Sequence, residues 1–381
     1  MYLTEEQAAL KESVRKMVEK HIAPIAAKID RENHIPTEIM ELFGDMGLLQ
    51  MRLPEKYGGM NMSLTDVCLA KEEVAKVSEA CSLYVSNNGM SIIYPLVYFG
   101  SEEQRQRFLP GLAAGRSLGA IAITEPHAGS NPGAMTTRAV RDGDSYVING
   151  QKCYITNGGT ADFVTLFART DPDSKGVNGI SAFMVEAKKT PGFRVGRIEK
   201  TMGLRGLHDA ELFFEDMRVP AANMIGPEGA GFKNMMRCLD LNRPTIGAAS
   251  VGLAQGALDC AVAFAKERKQ FGRPIAEFQM IQGMLADMAM QIEAARTLVY
   301  ETTRVADSGD YKRLNYMAAV CKCFASDMVM KVTTDAVQIF GGAGYMEDHP
   351  VERFMRDAKI NQIFEGTNQI QRLIIARHLV E

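Results

Sequence analysis

Three stretches of this chain set polar residues and glycine inside apolar surroundings, and each has residue types that could do chemistry. Near the C-terminus, Ile363-Phe364-Glu365-Gly366-Thr367-Asn368-Gln369 leads from an apolar pair into a carboxylate, a glycine and a threonine suited to capping the helix that follows. A carboxylate kept from water is a candidate general base. The same residue could instead sit favourably before a helix N-terminus. The second stretch, Ile123-Thr124-Glu125-Pro126-His127-Ala128-Gly129-Ser130-Asn131, follows the strand-like Gly119–Ala122. Its hydroxyls and glycine could present donors to an anion or a heterocycle edge, or form an ordinary polar turn. In the third, Tyr154-Ile155-Thr156-Asn157-Gly158-Gly159, strand alternation would put Tyr154 and Thr156 on one face. There they could wall a flat cofactor, or pack as a cross-strand pair.

The elements that must position these stretches are legible in periodicity. Residues 1–118 read as an N-terminal helical domain. Thr4 with Gln7, and Ser101 with Gln104, form capping boxes, Ser63 with Asp66 opens a further helix, and Pro36 suits a first helical position. From 119 to 227 the period drops to two and turn signals crowd in, with Asp142-Gly143-Asp144 marking a hairpin. No long helix interrupts these strands, which predicts a middle antiparallel β barrel or sandwich. From 228 to 381, segments near 232–268, 278–308, 312–340 and 368–379 are amphipathic with short connectors, as in an antiparallel helix bundle. The fold class is therefore mainly α with a central β domain.

Other chemistries lack their signatures. There is no Gly-x-Gly-x-x-Gly after a strand, no phosphate-binding Walker sequence and no Gly-x-Ser-x-Gly. Six dispersed histidines and seven scattered cysteines give no metal-ligand spacing, and the odd cysteine count argues for reduced thiols. A formal charge of −3 gives no basic field for nucleic acid. No run of uninterrupted apolar residues supports a membrane span, and the first residues lack signal- or transit-peptide character. The expectation is a cytoplasmic protein, or a processed one of an organellar matrix. The 24 methionines read as packing residues between helices.

The three stretches occur among further motifs, in order: Pro54-Glu55-Lys56-Tyr57-Gly58-Gly59, Asn149-Gly150-Gln151-Lys152, Phe214-Glu215-Asp216, Glu267-Arg268-Lys269-Gln270-Phe271-Gly272, Gly341-Gly342-Ala343-Gly344-Tyr345 and Met355-Arg356-Asp357-Ala358-Lys359-Ile360. Over essentially its whole length the chain resembles the short- and medium-chain acyl-CoA dehydrogenases. That resemblance implies the helix–β–helix architecture, bound FAD, an acyl-CoA substrate, electron transfer to an electron-transferring flavoprotein, and a homotetramer.

By the same resemblance Glu365 matches the family's catalytic base, and its backbone N–H would help to hold the thioester carbonyl. Another branch of the family carries its base earlier in the chain, at a position occupied here by Asn242, which cannot act as a carboxylate. Thr124, Ser130, Tyr154 and Thr156 match flavin-contacting positions, Tyr154 standing where many relatives have Trp. Arg268, Gln270, Phe271 and Gln279 match residues that reach a neighbouring subunit's FAD, and Gln338, Gly342, Thr367 and Gln369 match the adenine end. Ser130, Arg243 and Gly366 match positions beside the substrate, although Arg243 could equally be a bundle ion pair. Phe364 departs from a frequent Tyr, and Leu207-His208 from a frequent Ser pattern. Asn87-Asn88 correspond roughly to the acyl-pocket wall, where they would either face solvent or imply a short, polar or cyclic acyl group. The competing readings are an enoyl-CoA reductase, an acyl-CoA oxidase and a non-catalytic flavin or CoA-binding scaffold.

Overall fold

The computed structural model describes residues 3–174 and 176–380. The first part is helical: α1 (Glu5–Met17), α2 (Ala26–Glu32), α3 (Thr37–Asp45), α4 (Leu64–Ala75), α5 (Glu79–Asn88), α6 (Tyr94–Phe99), α7 (Glu102–Phe108) and α8 (Pro110–Ala113). The helices start where side chains satisfy the exposed N–H groups of a first turn. Thr4/Gln7, Ser63/Asp66 and Ser101/Gln104 form reciprocal capping boxes. Pro36 lies one position outside the helix it was expected to begin.

Eight strands follow: β1 (Gly119–Ala122), β2 (Arg138–Asp142), β3 (Ser145–Ile155), β4 (Phe163–Arg169), β5 (Ile180–Glu186), β6 (Phe193–Ile198), β7 (Ala210–Pro220) and β8 (Met224–Ile225). The sheet order is β6-β7-β3-β2-β4-β5-β8, with β1 on β4. Gly143, at φ +63°, turns the β2–β3 hairpin. The sheet is mostly antiparallel, but β1 pairs with β4 in parallel. The β2–β3 excursion between them supplies the long connection a parallel pair needs. Strand β6 was not anticipated, because it buries no residue fully and so shows no alternation. The sheet has its own core, including Tyr146, Ile148, Leu166, Phe183 and Leu212.

After β8 come α9 (Gly231–Glu267), the short ribbon β9 (Lys269–Gln270) and β10 (Arg273–Pro274), α10 (Gln279–Asp307), α11 (Tyr311–Phe340), α12 (Val351–Ala358) and α13 (Asn368–Val380). Helix α9 is long and apolar enough to cross a membrane by composition, yet 67% of its most apolar window is buried inside the protein, as in a core helix. It crosses α4 very closely. A Cβ on Gly252 would lie 2.2 Å from Glu72 O, and one on Gly256 would lie 2.1 Å from Lys76 O. One continuous core joins the N- and C-terminal helices.

Hydrogen bonds at two places help to dock the β domain onto the helices. Asn88 donates to Ser117 O (2.9 Å) and accepts from Gly119 N (2.9 Å), while Asn87 donates to Gly119 O (2.6 Å). These amides therefore pin α5 to β1, a role neither of the two expectations for them covered. On the other side, Asp357 accepts from Leu204 N at 2.7 Å.

Candidate active site

Glu365 lies between α12 and α13, in a turn of two successive positive-φ residues, Glu365 at +54° and Gly366 at +90°. For a residue with a side chain such a conformation costs about 1–3 kcal/mol and persists only where neighbours enforce it. Here they do. Glu365 O accepts from Arg243 Nε (3.3 Å) and Gln371 Nε2 (3.2 Å), and Gly366 O from Gln371 Nε2 (2.9 Å) and Lys322 Nζ (2.9 Å). Beyond the turn, buried Asn368 is tied to α11 through Lys322, Ser326 and Asp327. Thr367 accepts weakly from Ile370 N (3.4 Å), so the expected cap is a minor contributor.

The carboxylate meets an uneven environment. Oε1 accepts from Asn242 Nδ2 at 2.5 Å, whereas Oε2 is buried and takes no hydrogen bond from the described residues. Burial pushes the Glu365 carboxyl above its ordinary range, while Lys71, the Asn242 hydrogen bond, Arg243 and Lys322 pull it back. The cations feel the same desolvation. Lys71 is pushed down to about 8 and Lys322 to about 8. Arg243, 2% exposed, is ion-paired to Asp240 at 2.6 Å. Its ion pair thus lies within α9 rather than between bundle helices, and its Nε clamps the Glu365 backbone. Such a carboxylate can take a proton from a reactant once water is excluded.

The two β-domain stretches come together. Cys153 N donates to Thr124 O at 2.9 Å, which sets Thr124 beside Tyr154. Lys152, buried, donates to Ile123 O (2.9 Å) and Glu125 (2.9 Å), and Glu125 also accepts from the N–H groups of Thr136 (2.7 Å) and Thr137 (3.0 Å). The Thr124–Ser130 loop is thereby folded around a buried ion pair. Gly129 has open space where a Cβ would project, and Ser130 is exposed. Tyr154 and Thr156 do not alternate simply, because Tyr154 stands at φ +58° and a register shift interrupts β3 between Lys152 and Ile155. The Tyr154 ring is 68% exposed. Close by, burial pushes the Asp209 carboxyl up to about 6, with neighbouring Thr156 opposing. Asn157 is buried with both amide atoms unpartnered among the described residues. His208 packs on this turn through its carbonyl, which accepts from Gly159 N at 3.2 Å, and its ring stacks on His34.

The remaining expected positions are on the surface of the single chain. Arg268, Gln270, Phe271 and Gln279 are exposed around the β9–β10 ribbon, with Phe271 94% exposed. Gln338, Gly342 and Gln369 are also exposed, and Thr367 is half-buried. The sequence reading missed Lys71, Thr245, Lys322 and Gln371, and weighed Asn242 only as a base. The one available signal was Lys71, a charge within the apolar run Val67-Cys68-Leu69-Ala70.

Comparison with known proteins covers the whole architecture. Residues 4–116, 120–217 and 229–380 match the N-terminal, middle and C-terminal domains of acyl-CoA dehydrogenase. A cyclohex-1-ene-1-carbonyl-CoA dehydrogenase of Syntrophus aciditrophicus is 49% identical over 99% of this chain and 91% of its own. The solved structure of butyryl-CoA dehydrogenase from Megasphaera elsdenii is 42% identical, with TM-score 0.96 over 100% of each chain. A chain in the structure of the electron transferring flavoprotein of Acidaminococcus fermentans is 46% identical, with TM-score 0.96, covering 100% of this chain and 99% of that one. With these matches and a helix–sheet–helix fold that buries a carboxylate in a clamped turn, the chain belongs to the acyl-CoA dehydrogenase family, oxidoreductases acting on the CH–CH bond of acyl-CoA thioesters.

Proposed function

We propose that the protein is an FAD-dependent dehydrogenase of short, medium or cyclic acyl-CoA thioesters, with Glu365 as the base. The observation that carries this is the Glu365 carboxylate itself, one oxygen held by Asn242 and the other buried and uncommitted, on a backbone clamped from three sides. Glu365 Oε2 takes the proton from the carbon next to the thioester carbonyl. The Glu365 N–H, to which no described residue offers an acceptor, donates to that carbonyl oxygen as negative charge builds there. Bound substrate excludes water and raises the carboxyl further, which brings it nearer working pH.

The residues present fit FAD. The exposed Tyr154 ring, the adjoining Thr124, the open space at Gly129 and the unpartnered Asn157 amide offer an aromatic face and polar groups for a flat heterocycle. FAD, when bound, supplies the acceptor for the hydride leaving the β-carbon. Thr124, Ser130, Tyr154 and Thr156 would hold its ring, and Thr367, Gln369, Gln338 and Gly342 its adenine end. Arg268, Gln270, Phe271 and Gln279 would serve a neighbouring copy's cofactor. Large apolar side chains exposed on the single chain, Phe271, Met280 and Leu373, support association into a tetramer. The likeness to a chain solved with an electron-transferring flavoprotein supports that partner.

The test is Glu365→Gln with a panel of straight, branched and cyclic acyl-CoA thioesters, read by bleaching of the bound flavin. The parent should bleach with at least one class and the variant should lose at least about three orders of magnitude in rate. Parent-rate bleaching by Glu365→Gln refutes the assignment. Reoxidation of the reduced protein by electron-transferring flavoprotein, and not by air, separates a dehydrogenase from an oxidase.

A further inference from the structure

We propose that Lys71 is a positioning residue that holds Glu365 ionised and correctly oriented through Thr245 and Asn242, an inference that rests on Glu365 being the catalytic base. Lys71 lies in α4, fully buried, and its ammonium meets hydroxyls rather than a carboxylate among the described residues. Its ammonium donates to Ser86 Oγ at 2.7 Å and to Thr245 Oγ1 at 3.3 Å. Thr245 in turn donates to Asn242 Oδ1 at 3.3 Å, and Asn242 Nδ2 donates to Glu365.

The direction of this chain is forced by chemistry. An ammonium can only donate, so the Thr245 oxygen accepts from it and its own proton points to Asn242. An amide whose oxygen is engaged that way must present its N–H to the next group. Asn242 therefore faces Glu365 as a donor, which a carboxylate welcomes and a protonated carboxyl does not need. Lys71 thus acts on Glu365 twice, as a charge and as the end that orients the amide. The tight crossing at Gly252 and Gly256 fixes α4 against α9 and so fixes Lys71 against Thr245.

The other charges around the pair do not replace it. Arg243 is already paired with Asp240. Lys322 is spent on Gly366 O and Asn368 Oδ1, with Asp327 nearby. On the far side of Lys71, burial pushes Glu79 up to about 8 and the Cys68 thiol up as well, so neither neutralises the ammonium at neutral pH. Of the charged groups facing Glu365, Lys71 opposes the effect of burial most strongly.

The experiment uses the FAD-loaded protein and three variants: Lys71→Met, Thr245→Val and Lys71→Arg. Two quantities are read. One is the acid limb of kcat/KM against pH. The other is the pH titration of the Glu365 carboxyl by infrared difference against Glu365→Gln, taken without substrate. Lys71→Met should move both to higher pH by ~1 unit, which is about a tenfold loss on the acid limb. Thr245→Val should move both the same way by less, and Lys71→Arg should return them toward the parent. Unmoved limb and band in a folded Lys71→Met protein overturn the proposal. So does a loss confined to thioesters with an anionic acyl tail, which would make Lys71 a substrate ligand. Should Lys71→Met not fold, Thr245→Val decides, because it breaks the relay without removing the charge. The infrared titration stands even if Glu365 proves not to be the base, so the two failures are distinguishable.

Discussion

Replacing Gly366 by Ala attacks the turn that presents Glu365. At φ +90° a residue with a Cβ pays about 1–2 kcal/mol. The added carbon would lie 2.7 Å from Gln371 Nε2, so that amide must withdraw. Withdrawal breaks its hydrogen bonds to Glu365 O (3.2 Å) and Gly366 O (2.9 Å). At about 1 kcal/mol each, these bring the cost to roughly 3–4 kcal/mol. Lys322 and Asn368 still hold the far end of the turn, so the strain is released locally by rotation at Glu365. A displacement of about 1 Å at a reacting group costs about 100-fold in rate. The assay is single-turnover flavin reduction by the best acyl-CoA of the panel, together with hydrogen exchange of peptides covering residues 359–375. The expected result is a rate lowered at least about 100-fold, with exchange raised in that segment and little change elsewhere. Parent rate with parent exchange would show that the left-handed turn does not position the carboxylate, and the reasoning fails.

Three further outcomes follow from the same structure. Glu125 is held down at about 2, with burial opposing and Lys152 and the Thr136 and Thr137 donors lowering it. A depressed carboxyl contributes stability that is present above its unfolded value near 4.5 and lost as pH falls toward 2, so Glu125→Gln should flatten that part of the acid-unfolding curve. At neutral pH it leaves Lys152 buried and unpaired, a loss of about 3–5 kcal/mol in chemical denaturation that Glu125→Gln with Lys152→Met should partly restore. Asn88→Ala removes the hydrogen bonds to Gly119 N at the start of β1 and to Ser117 O just before it, and should lower the melting temperature while leaving the ratio of rates across the acyl-CoA panel unchanged. Gly252→Ala forces a Cβ onto Glu72 O and should destabilise by about 1–3 kcal/mol in the same denaturation assay.

Local chemistry alone determined much of this molecule. Thr4, Ser63 and Ser101 announce helix starts because a hydroxyl three residues before an amide or carboxylate side chain satisfies first-turn donors whatever the rest of the chain does. The long bundle helices were legible for a related reason: a core-facing stripe repeats over many turns. The segment around Glu365 stood out by residue type, as a carboxylate before a glycine. Tertiary structure decided what neighbours distant segments acquire. The parallel pairing of β1 depends on a partner more than forty residues away, and the half-exposed β6 shows its strand only once it lies on the edge of β7. Asn87 and Asn88 could not be placed until β1 lay against α5. Nor could the setting of Glu365 be read from its own segment. Lys71, Asn242 and Lys322 come from three helices, and their charge and hydrogen bonds reach the carboxylate's surroundings only through packing, fixed by backbone contacts such as Gly252 on Glu72. Helix propensity is a property of neighbours in sequence, whereas an electrostatic environment is a sum over neighbours in space.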